Sequence, residues 1–215
     1  MYGSERARAV RFRCATHRNI YVRSERAGQR VMESVRKFLE KRLKLKVNKK
    51  KSGVDKPQKR KILGFSFWRH GGKMRLRLAP ETLERLKDKI RQFTGRTKGN
   101  SIEEKINNLN THLMGWMNYY HLVETPGIME KLDRWMRRRL KMCLLKEWKE
   151  PKTRRKKLVA LGVPSSEVHL ISACRRGYWF LSSCKWVNIA LCPSFWKEKG
   201  FTGLSDRYSA LRGVS

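Results

Sequence analysis

Basic side chains provide the chemistry that the sequence shows most clearly, and many of them recur along one predicted helix. Residues 134–157 contain 12 basic residues and only two acidic ones, Glu147 and Glu150. The first of these basic residues lie three and four positions apart, which places them on one helical face. Arginine can bind phosphate through two parallel hydrogen bonds, and each phosphate contact releases condensed counterions. We therefore predict a phosphate-binding surface made of Arg134, Arg137, Arg138, Lys141, Arg154, Arg155, Lys156 and Lys157.

The charge of the whole chain agrees with this prediction. The 215 residues include 52 Lys and Arg against 18 Asp and Glu, so the net charge is +34. Charges of one sign repel one another unless a polyanion neutralises them, whereas an ordinary soluble surface carries a net charge of about 2–8 in magnitude. A nucleic-acid partner is the leading prediction. The chain has no run of about 18 apolar residues, so we expect no membrane partner.

Other kinds of site are not indicated by the residues. His112 and His121 lack a nearby carboxylate or cysteine that would complete a catalytic or metal site, so we interpret them as structural or exposed. The five cysteines contain no Cys-x-x-Cys pair, which predicts neither zinc nor an obligatory disulfide and is typical of reduced thiols in a cytoplasm. The sequence also contains no P-loop and no Gly-x-Gly-x-x-Gly motif for phosphate binding. We predict no catalytic residue, metal ligand or cofactor in this chain.

Aromatic residues near the middle of the chain raise a second question about nucleic acid. Trp116 and Tyr120 fall on an apolar helical stripe, which favours burial. Tyr119 lies off that stripe, so stacking of its ring on an unpaired base stays open.

The elements before residue 79 are predicted to be mixed. Asn19–Val22 has strand composition, and residues 24–43 form an amphipathic helix with Ser24 as its N-cap. Leu43, Leu45 and Val47 alternate with lysines, which indicates another strand. A hairpin follows, with strands at residues 62–68 and 74–78 and a turn at Gly71-Gly72.

The elements after residue 79 are predicted to be mostly helical. One helix begins at Pro80 and ends at Gly95, and a capping box at Ser101 starts the next. A third helix begins at Thr125-Pro126. Its predicted core face consists of Leu132, Trp135, Met136, Leu140, Cys143, Leu144 and Trp148. Three amphipathic helices with short connections predict a bundle, followed by a basic segment of mixed helix and loop. The predicted fold class is α+β, mostly α.

Several segments, in order, resemble one protein family. They include "NIYVRSERAGQRVMESVRKFLEKRLKLKVNKKKS", "KILGFSF", "LNTHLMGWMNYY", "LDRWMRRRLKMCLLKEWK", "SACRRGYW" and "GLSDRY". The chain is similar to the carboxy-terminal half of group II intron-encoded reverse transcriptase/maturases. The resemblance implies a remnant of the polymerase palm at residues 1–78, a thumb or maturase-specific (X) domain at residues 79–150, and a basic carboxy-terminal extension at residues 151–215.

The resemblance also implies what this chain lacks. In the family, an aspartate pair that helps to bind the polymerase metals precedes the strand corresponding to "NIYV", and here Thr16 and His17 stand at those positions. The other metal-binding aspartate and the cysteine pairs of a zinc endonuclease are also missing. We therefore expect Mg²⁺ only in a complete polymerase.

Three interpretations of function remain open from the sequence. The first is a truncated maturase that binds intron RNA and assists its folding and splicing. The second is a fragment of an RNA-directed DNA polymerase, which would need a complementing fingers and palm chain and could meet a DNA target. The third is a remnant of a mobile element without a function, whose Asn19 strand would expose an unpaired edge.

Overall fold

A computed structural model describes residues 11–14, 17–48, 52–96 and 99–213. The chain divides into two compact units, residues 1–60 and 61–215. In the described residues, helices predominate over short antiparallel strands, which confirms the α+β, mostly α class.

The described residues of the first unit form two strands, one α-helix and a short 3₁₀ helix. Strand β1 (Arg11–Cys14) pairs antiparallel with β2 (His17–Ile20), and Arg11 lies opposite Ile20. The predicted strand at Asn19–Val22 therefore begins and ends two residues earlier. All four residues of β2 pair with β1 on one edge, and the described residues place no strand on its other edge, as the prediction of an unpaired edge requires. Helix α1 (Glu25–Lys41) begins as predicted, with the Ser24 side chain accepting a hydrogen bond from the Ala27 amide.

The prediction of a strand at residues 43–47 is wrong, because these residues form a turn and irregular backbone. Lys44 has a φ of 53°, in the left-handed region, and the Leu45 amide donates to the Leu39 carbonyl oxygen at 3.0 Å. Because the backbone turns at Lys44, the residues that follow α1 do not continue as an extended strand. A short 3₁₀ helix, Pro57–Lys59, closes the first unit.

The second unit opens with a three-stranded antiparallel sheet, ordered β3 (Lys61–Ile62), β4 (Phe65–His70), β5 (Lys73–Leu78). The predicted turn is confirmed, since Gly71 and Gly72 have φ angles of 57° and 76°. The single strand predicted before it is split in two, because Leu63 and Gly64 also have positive φ and turn the chain between β3 and β4.

The three long helices of the second unit agree with the predicted bundle. They are α2 (Pro80–Phe93), α3 (Ile102–Tyr120) and α4 (Pro126–Glu147). Proline occupies the first turn of α2 and of α4, and the Ser101 side chain accepts from the Glu104 amide at the start of α3. Helix α2 ends at Phe93, two residues before the predicted end at Gly95, with Thr94 as its C-cap.

The core face of α4 is largely as predicted. The predicted residues that lie fully in the core are Leu132, Met136, Leu140, Cys143, Leu144 and Trp148. Trp135 differs, since it is only half-buried and packs at the edge of this core.

The segment predicted as mixed helix and loop is a series of short helices. They are α5 (Pro151–Ala160), α6 (Ser165–Ala173), α7 (Tyr178–Leu181), α8 (Lys185–Ala190), α9 (Pro193–Glu198) and α10 (Leu204–Arg212). Helix α7 packs on α4, and α10 packs on both α3 and α4. One hydrophobic core extends from Leu78 to Tyr208, so these helices complete the bundle instead of trailing from it.

Candidate nucleic-acid interface

The predicted phosphate-binding residues divide into exposed and buried ones. Arg134 is exposed on α4, and Arg137 is half-buried beside it. On α5, Arg155, Lys156 and Lys157 are all exposed, and we call these three the α5 basic triad. In the described part of the chain, no carboxylate forms an ion pair with any of these five side chains. Their charges are therefore available to an external anion.

The exposure expected for Lys141 is wrong. This side chain is 7% exposed, and its Nζ donates to Asn188 Oδ1 at 2.5 Å. Burial, together with the charge of Arg137, lowers the pKa of Lys141 to about 8. Lys141 joins α4 to α8 and does not lie on an exposed face.

The exposure expected for Arg154 is also wrong. The side chain is 5% exposed, and its guanidinium donates to the carbonyl oxygens of Ser172 and Lys149, both at 3.3 Å. Arg154 thereby fastens α5 to the end of α6. The three residues that follow it, Arg155, Lys156 and Lys157, are exposed.

Arg138 occupies an intermediate position between α4 and α7. Its Nη2 donates to the Trp179 carbonyl oxygen at 3.2 Å, and its Nε donates to Ser182 Oγ at 3.4 Å. The guanidinium carbon lies 4.0 Å from the centre of the Trp179 ring, which is a cation–π contact. Arg138 thus fixes the orientation of Trp179 on the surface.

A recess of about 320 Å³ lies beside this pair and gathers further arginines. We call it the arginine–tryptophan recess; its lining residues are Arg91, Arg96, Trp135, Arg139, Met142 and Trp179. None of these described lining residues is acidic. The Trp135 ring has the guanidinium carbons of Arg91 and Arg139 at 5.7 and 5.4 Å from its centre.

Arg139 is held in the recess by neutral groups. Its Nε donates to Thr94 Oγ1 at 2.5 Å and its Nη2 to the Thr94 carbonyl oxygen at 3.3 Å. Burial lowers the pKa of Arg139, and the charges of Arg91 and Arg96 lower it further. Arg91 itself pairs with Asp88 at 2.5 Å, but both side chains are exposed, so the screening by water is strong.

A second recess, of about 450 Å³, has mixed charge. Arg134, Arg137 and Lys197 line it together with Glu130 and Asp206, and Lys197 pairs with Asp206 at 3.4 Å. Acidic groups here offset part of the positive potential. The arginine–tryptophan recess is therefore the more favourable of the two for an anion.

The aromatic and histidine residues near the middle of the chain have structural contacts. Tyr119 is exposed, but its hydroxyl donates to the Leu63 carbonyl oxygen at 3.2 Å and its ring stacks on Phe65. Trp116 and Tyr120 are half-buried and pack against the core, so the burial predicted for them is partly realised. His112 packs on Phe93, and burial lowers its pKa. The His121 Nδ1 lies 2.8 Å from the Asn118 carbonyl oxygen.

Sequence reasoning missed Asp133, which is 4% exposed. Its Oδ1 accepts from the Leu204 amide at 2.7 Å and its Oδ2 from the Ser205 amide at 2.9 Å, so it caps the first turn of α10. A Cβ on Gly203 would lie 2.6 Å from Oδ2, which explains the glycine. The only local signal was an acidic residue inside an otherwise apolar face of α4.

Sequence reasoning also missed the recess. Arg91 and Arg96 come from α2 and its C-terminal end, Arg139 from α4, and Trp179 from α7. No spacing within one element links them. They meet because α7 and the end of α2 both pack against α4.

Comparison with protein families matches residues 83–161 to a family model described as "Group II intron, maturase-specific domain". The chain carries a group II intron maturase-specific domain. This confirms the resemblance found in the sequence. The maturase-specific domain runs from α2 through α5 and includes the α5 basic triad and most of the recess; Trp179 lies beyond it. No curated protein matches the chain.

The remaining predictions about sites fall on residues of which little is described. Thr16 lies outside the described residues, and His17 begins β2. Within the described ranges, no cluster of three or more His, Cys, Asp and Glu side chains could hold a metal ion. No helix in those ranges is long and apolar enough to cross a membrane.

Proposed function

We propose that this chain binds group II intron RNA through its maturase-specific domain and stabilises the folded RNA during splicing. The proposal is carried by one observation: the maturase-specific domain presents basic side chains, chiefly the α5 basic triad, that have no carboxylate partner among the described residues. RNA phosphates would supply that partner. The reaction itself would belong to the RNA, and the protein would contribute binding free energy.

The proposed contact is electrostatic and therefore depends on salt. Each phosphate that a basic side chain neutralises releases condensed counterions, and added salt opposes that release. The exposed positions of Arg155, Lys156 and Lys157 make them suitable for such contacts. Buried Lys141 and Arg154 are excluded from the proposed surface because their donors are used within the protein.

The test compares two triple variants with equal loss of charge. In the first, Arg155, Lys156 and Lys157 are changed to Gln. In the control, Lys61, Lys87 and Lys199 are changed to Gln; these lysines, of which Lys87 is half-buried and the other two are exposed, already pair with Glu81, Glu84 and Glu103. RNA affinity is measured by filter binding with a group II intron transcript over a range of salt concentrations.

We expect the first variant to bind the intron RNA more weakly and the log–log slope of affinity against salt to fall by about 2 to 3, since each lost contact removes about 0.7–0.9. The control should keep most of the slope. Splicing in the presence of each variant should follow its RNA affinity. Equal losses in the two variants would mean that only net charge matters, and would contradict a specific surface on α5.

A further inference from the structure

The arginine–tryptophan recess combines positive charge with aromatic rings in one place. Its six lining residues include three arginines and two tryptophans, and its volume is about 320 Å³. That volume lies at the lower end of the range of about 300–1,000 Å³ for small-molecule sites. A ligand for it would be small, anionic and planar in part.

The charges of the recess favour an anion. Three guanidinium groups share the lining, and no described lining residue is acidic. Among the described residues, Arg139 donates hydrogen bonds only to the neutral oxygens of Thr94, and no described carboxylate pairs with it. The guanidinium carbons of Arg91 and Arg139 lie 5.7 and 5.4 Å from the centre of the same Trp135 ring, and their like charges repel each other, so a bound phosphate would relieve the repulsion.

The tryptophans provide a surface for a planar ring. Trp179 is 38% exposed although it is large and apolar. Arg138 lies over the ring at 4.0 Å and also donates to the Trp179 carbonyl oxygen, which holds the ring in place while part of it stays exposed for stacking. Aromatic side chains bind unpaired bases in this way, with little dependence on the base.

We propose that the arginine–tryptophan recess binds one unpaired nucleotide of the RNA, with its base stacked on Trp179 and its phosphate held by Arg91, Arg96 and Arg139. This inference rests on the proposed function and assigns a distinct role within it. The α5 basic triad binds RNA backbone of any form. The recess selects single-stranded segments, because the bases of a duplex are stacked on each other and cannot reach Trp179.

The test uses three RNA probes that separate bases from phosphates. The first is an oligouridine of about 10 nucleotides, within the site sizes of single-strand-binding proteins. The second is a duplex of the same length, and the third is a strand of the same length whose central nucleotides lack bases. Affinities are measured by fluorescence anisotropy at constant salt for the full chain and its variants.

The key variant is Trp179→Ala, and its matched control is Trp186→Ala. Trp186 also lies beside a basic side chain, with Lys185 Nζ 5.5 Å from its ring centre, but it is half-buried and does not line the recess. Trp179→Ala should weaken oligouridine binding by at least about fivefold, the lower end of the effect of one stacked base. Duplex and base-free strands should be bound as before. Trp186→Ala should change none of the three affinities.

Two further variants keep the test decisive if Trp179→Ala unfolds. Trp179→Phe retains an aromatic ring and should retain most of the oligouridine affinity. Arg96→Gln should weaken the oligouridine and the base-free strand together, since it removes a phosphate contact. Thermal melting of each variant identifies any loss of fold.

The possible failures are distinguishable. If the unchanged protein binds intron RNA but Trp179→Phe and Arg96→Gln behave alike on all three probes, the recess is a packing feature and this inference is wrong. Equal effects of Trp179→Ala on oligouridine and duplex would lead to the same conclusion. If the unchanged protein binds no intron RNA, the proposed function itself fails.

Discussion

Lys141 illustrates how a single residue changes role when its surroundings are known. Its spacing from Arg134 and Arg137 indicates an exposed basic face, but the side chain is buried against α8. Burial penalises the ammonium form, which is why the pKa falls to about 8. A charged group is retained there because Asn188 accepts its hydrogen bond.

The lowered pKa of Lys141 makes stability depend on pH. Between about pH 8 and the ordinary lysine value of 10.5, the unfolded chain binds the proton and the folded chain releases it. The unfolded state then holds more protons, so the contribution of Lys141 to the free energy of unfolding should rise with pH across this window. Below pH 8 both states are protonated, and the contribution is constant at its lowest value.

This prediction is tested with Lys141→Met, which keeps the length of the side chain and removes its charge. The difference in free energy of unfolding, unchanged protein minus variant, should increase between pH 8 and pH 10 by about 1 kcal/mol or more, since one pH unit of separation corresponds to about 1.4 kcal/mol. Urea unfolding at several pH values measures it. Taking the difference removes the opposing effect of Cys143, whose thiol pKa is raised by burial. A flat or falling difference would contradict the buried position.

At the scale of elements, α10 depends on a residue of α4 for its first turn. The unpaired amides at a helix N-terminus need acceptors, and the buried Asp133 carboxylate supplies one to Leu204 and one to Ser205. Tyr208 adds a hydrogen bond from its hydroxyl to the Val123 carbonyl oxygen at 2.6 Å. These contacts attach α10 to the bundle.

Asp133→Ala should therefore destabilise the second unit by about 2–4 kcal/mol. The change removes two charge-assisted hydrogen bonds and leaves the buried Leu204 amide and the partly buried Ser205 amide without acceptors. Denaturant unfolding followed by far-UV circular dichroism measures the loss. Asp133→Asn keeps one acceptor oxygen and should cost less, whereas equal losses for the two variants would indicate that shape, and not hydrogen bonding, matters at this position.

The sequence predicts the long helices well because their signals are local. The periodicity of α2, α3 and α4 and the caps at Ser24 and Ser101 depend on residues within one or two turns. Burial of Lys141 depends on Asn188, which lies 47 residues away in sequence, and no local pattern reports it. The predicted strand at Leu43–Val47 failed for the related reason that alternation also fits a turn at a helix end.

The candidate site divides in the same way. The α5 basic triad is exposed as its sequence suggests. The arginine–tryptophan recess could not be predicted, because Arg139 is set in place by Thr94, 45 residues earlier, and Trp179 by Arg138, 41 residues earlier. Charge density can be read from a sequence, whereas the packing that brings separate charges together cannot.

At the scale of the whole molecule, the net charge of +34 lowers the stability of the folded protein but strengthens its binding to polyanions. Repulsion among the basic groups opposes the compact state, and salt screens it over a Debye length that shrinks from about 10 Å at 0.1 M to about 3 Å at 1 M. The same salt weakens contacts with phosphate.

We therefore expect the melting temperature of the RNA-free protein to rise as NaCl is increased from low to moderate concentration, while its affinity for intron RNA falls. Differential scanning fluorimetry and filter binding on one preparation measure the two trends. Adding a polyanion at low salt should raise the melting temperature as salt does. A melting temperature that falls with NaCl would show that the described ion pairs, such as Lys61 with Glu81, outweigh the repulsion.

The contact between Asp133 and Leu204 has a consequence for the newly made chain. These residues are 71 positions apart, so a ribosome that adds about 5–20 residues per second needs about 4–14 s to reach the second after the first. During that interval α4 can form, but its Asp133 carboxylate has only water as a partner and the apolar surface that α10 covers stays open. The nascent maturase-specific domain therefore passes through a stage in which apolar surface is exposed and the bundle is incomplete. Chaperones or the intron RNA itself would bind it at that stage.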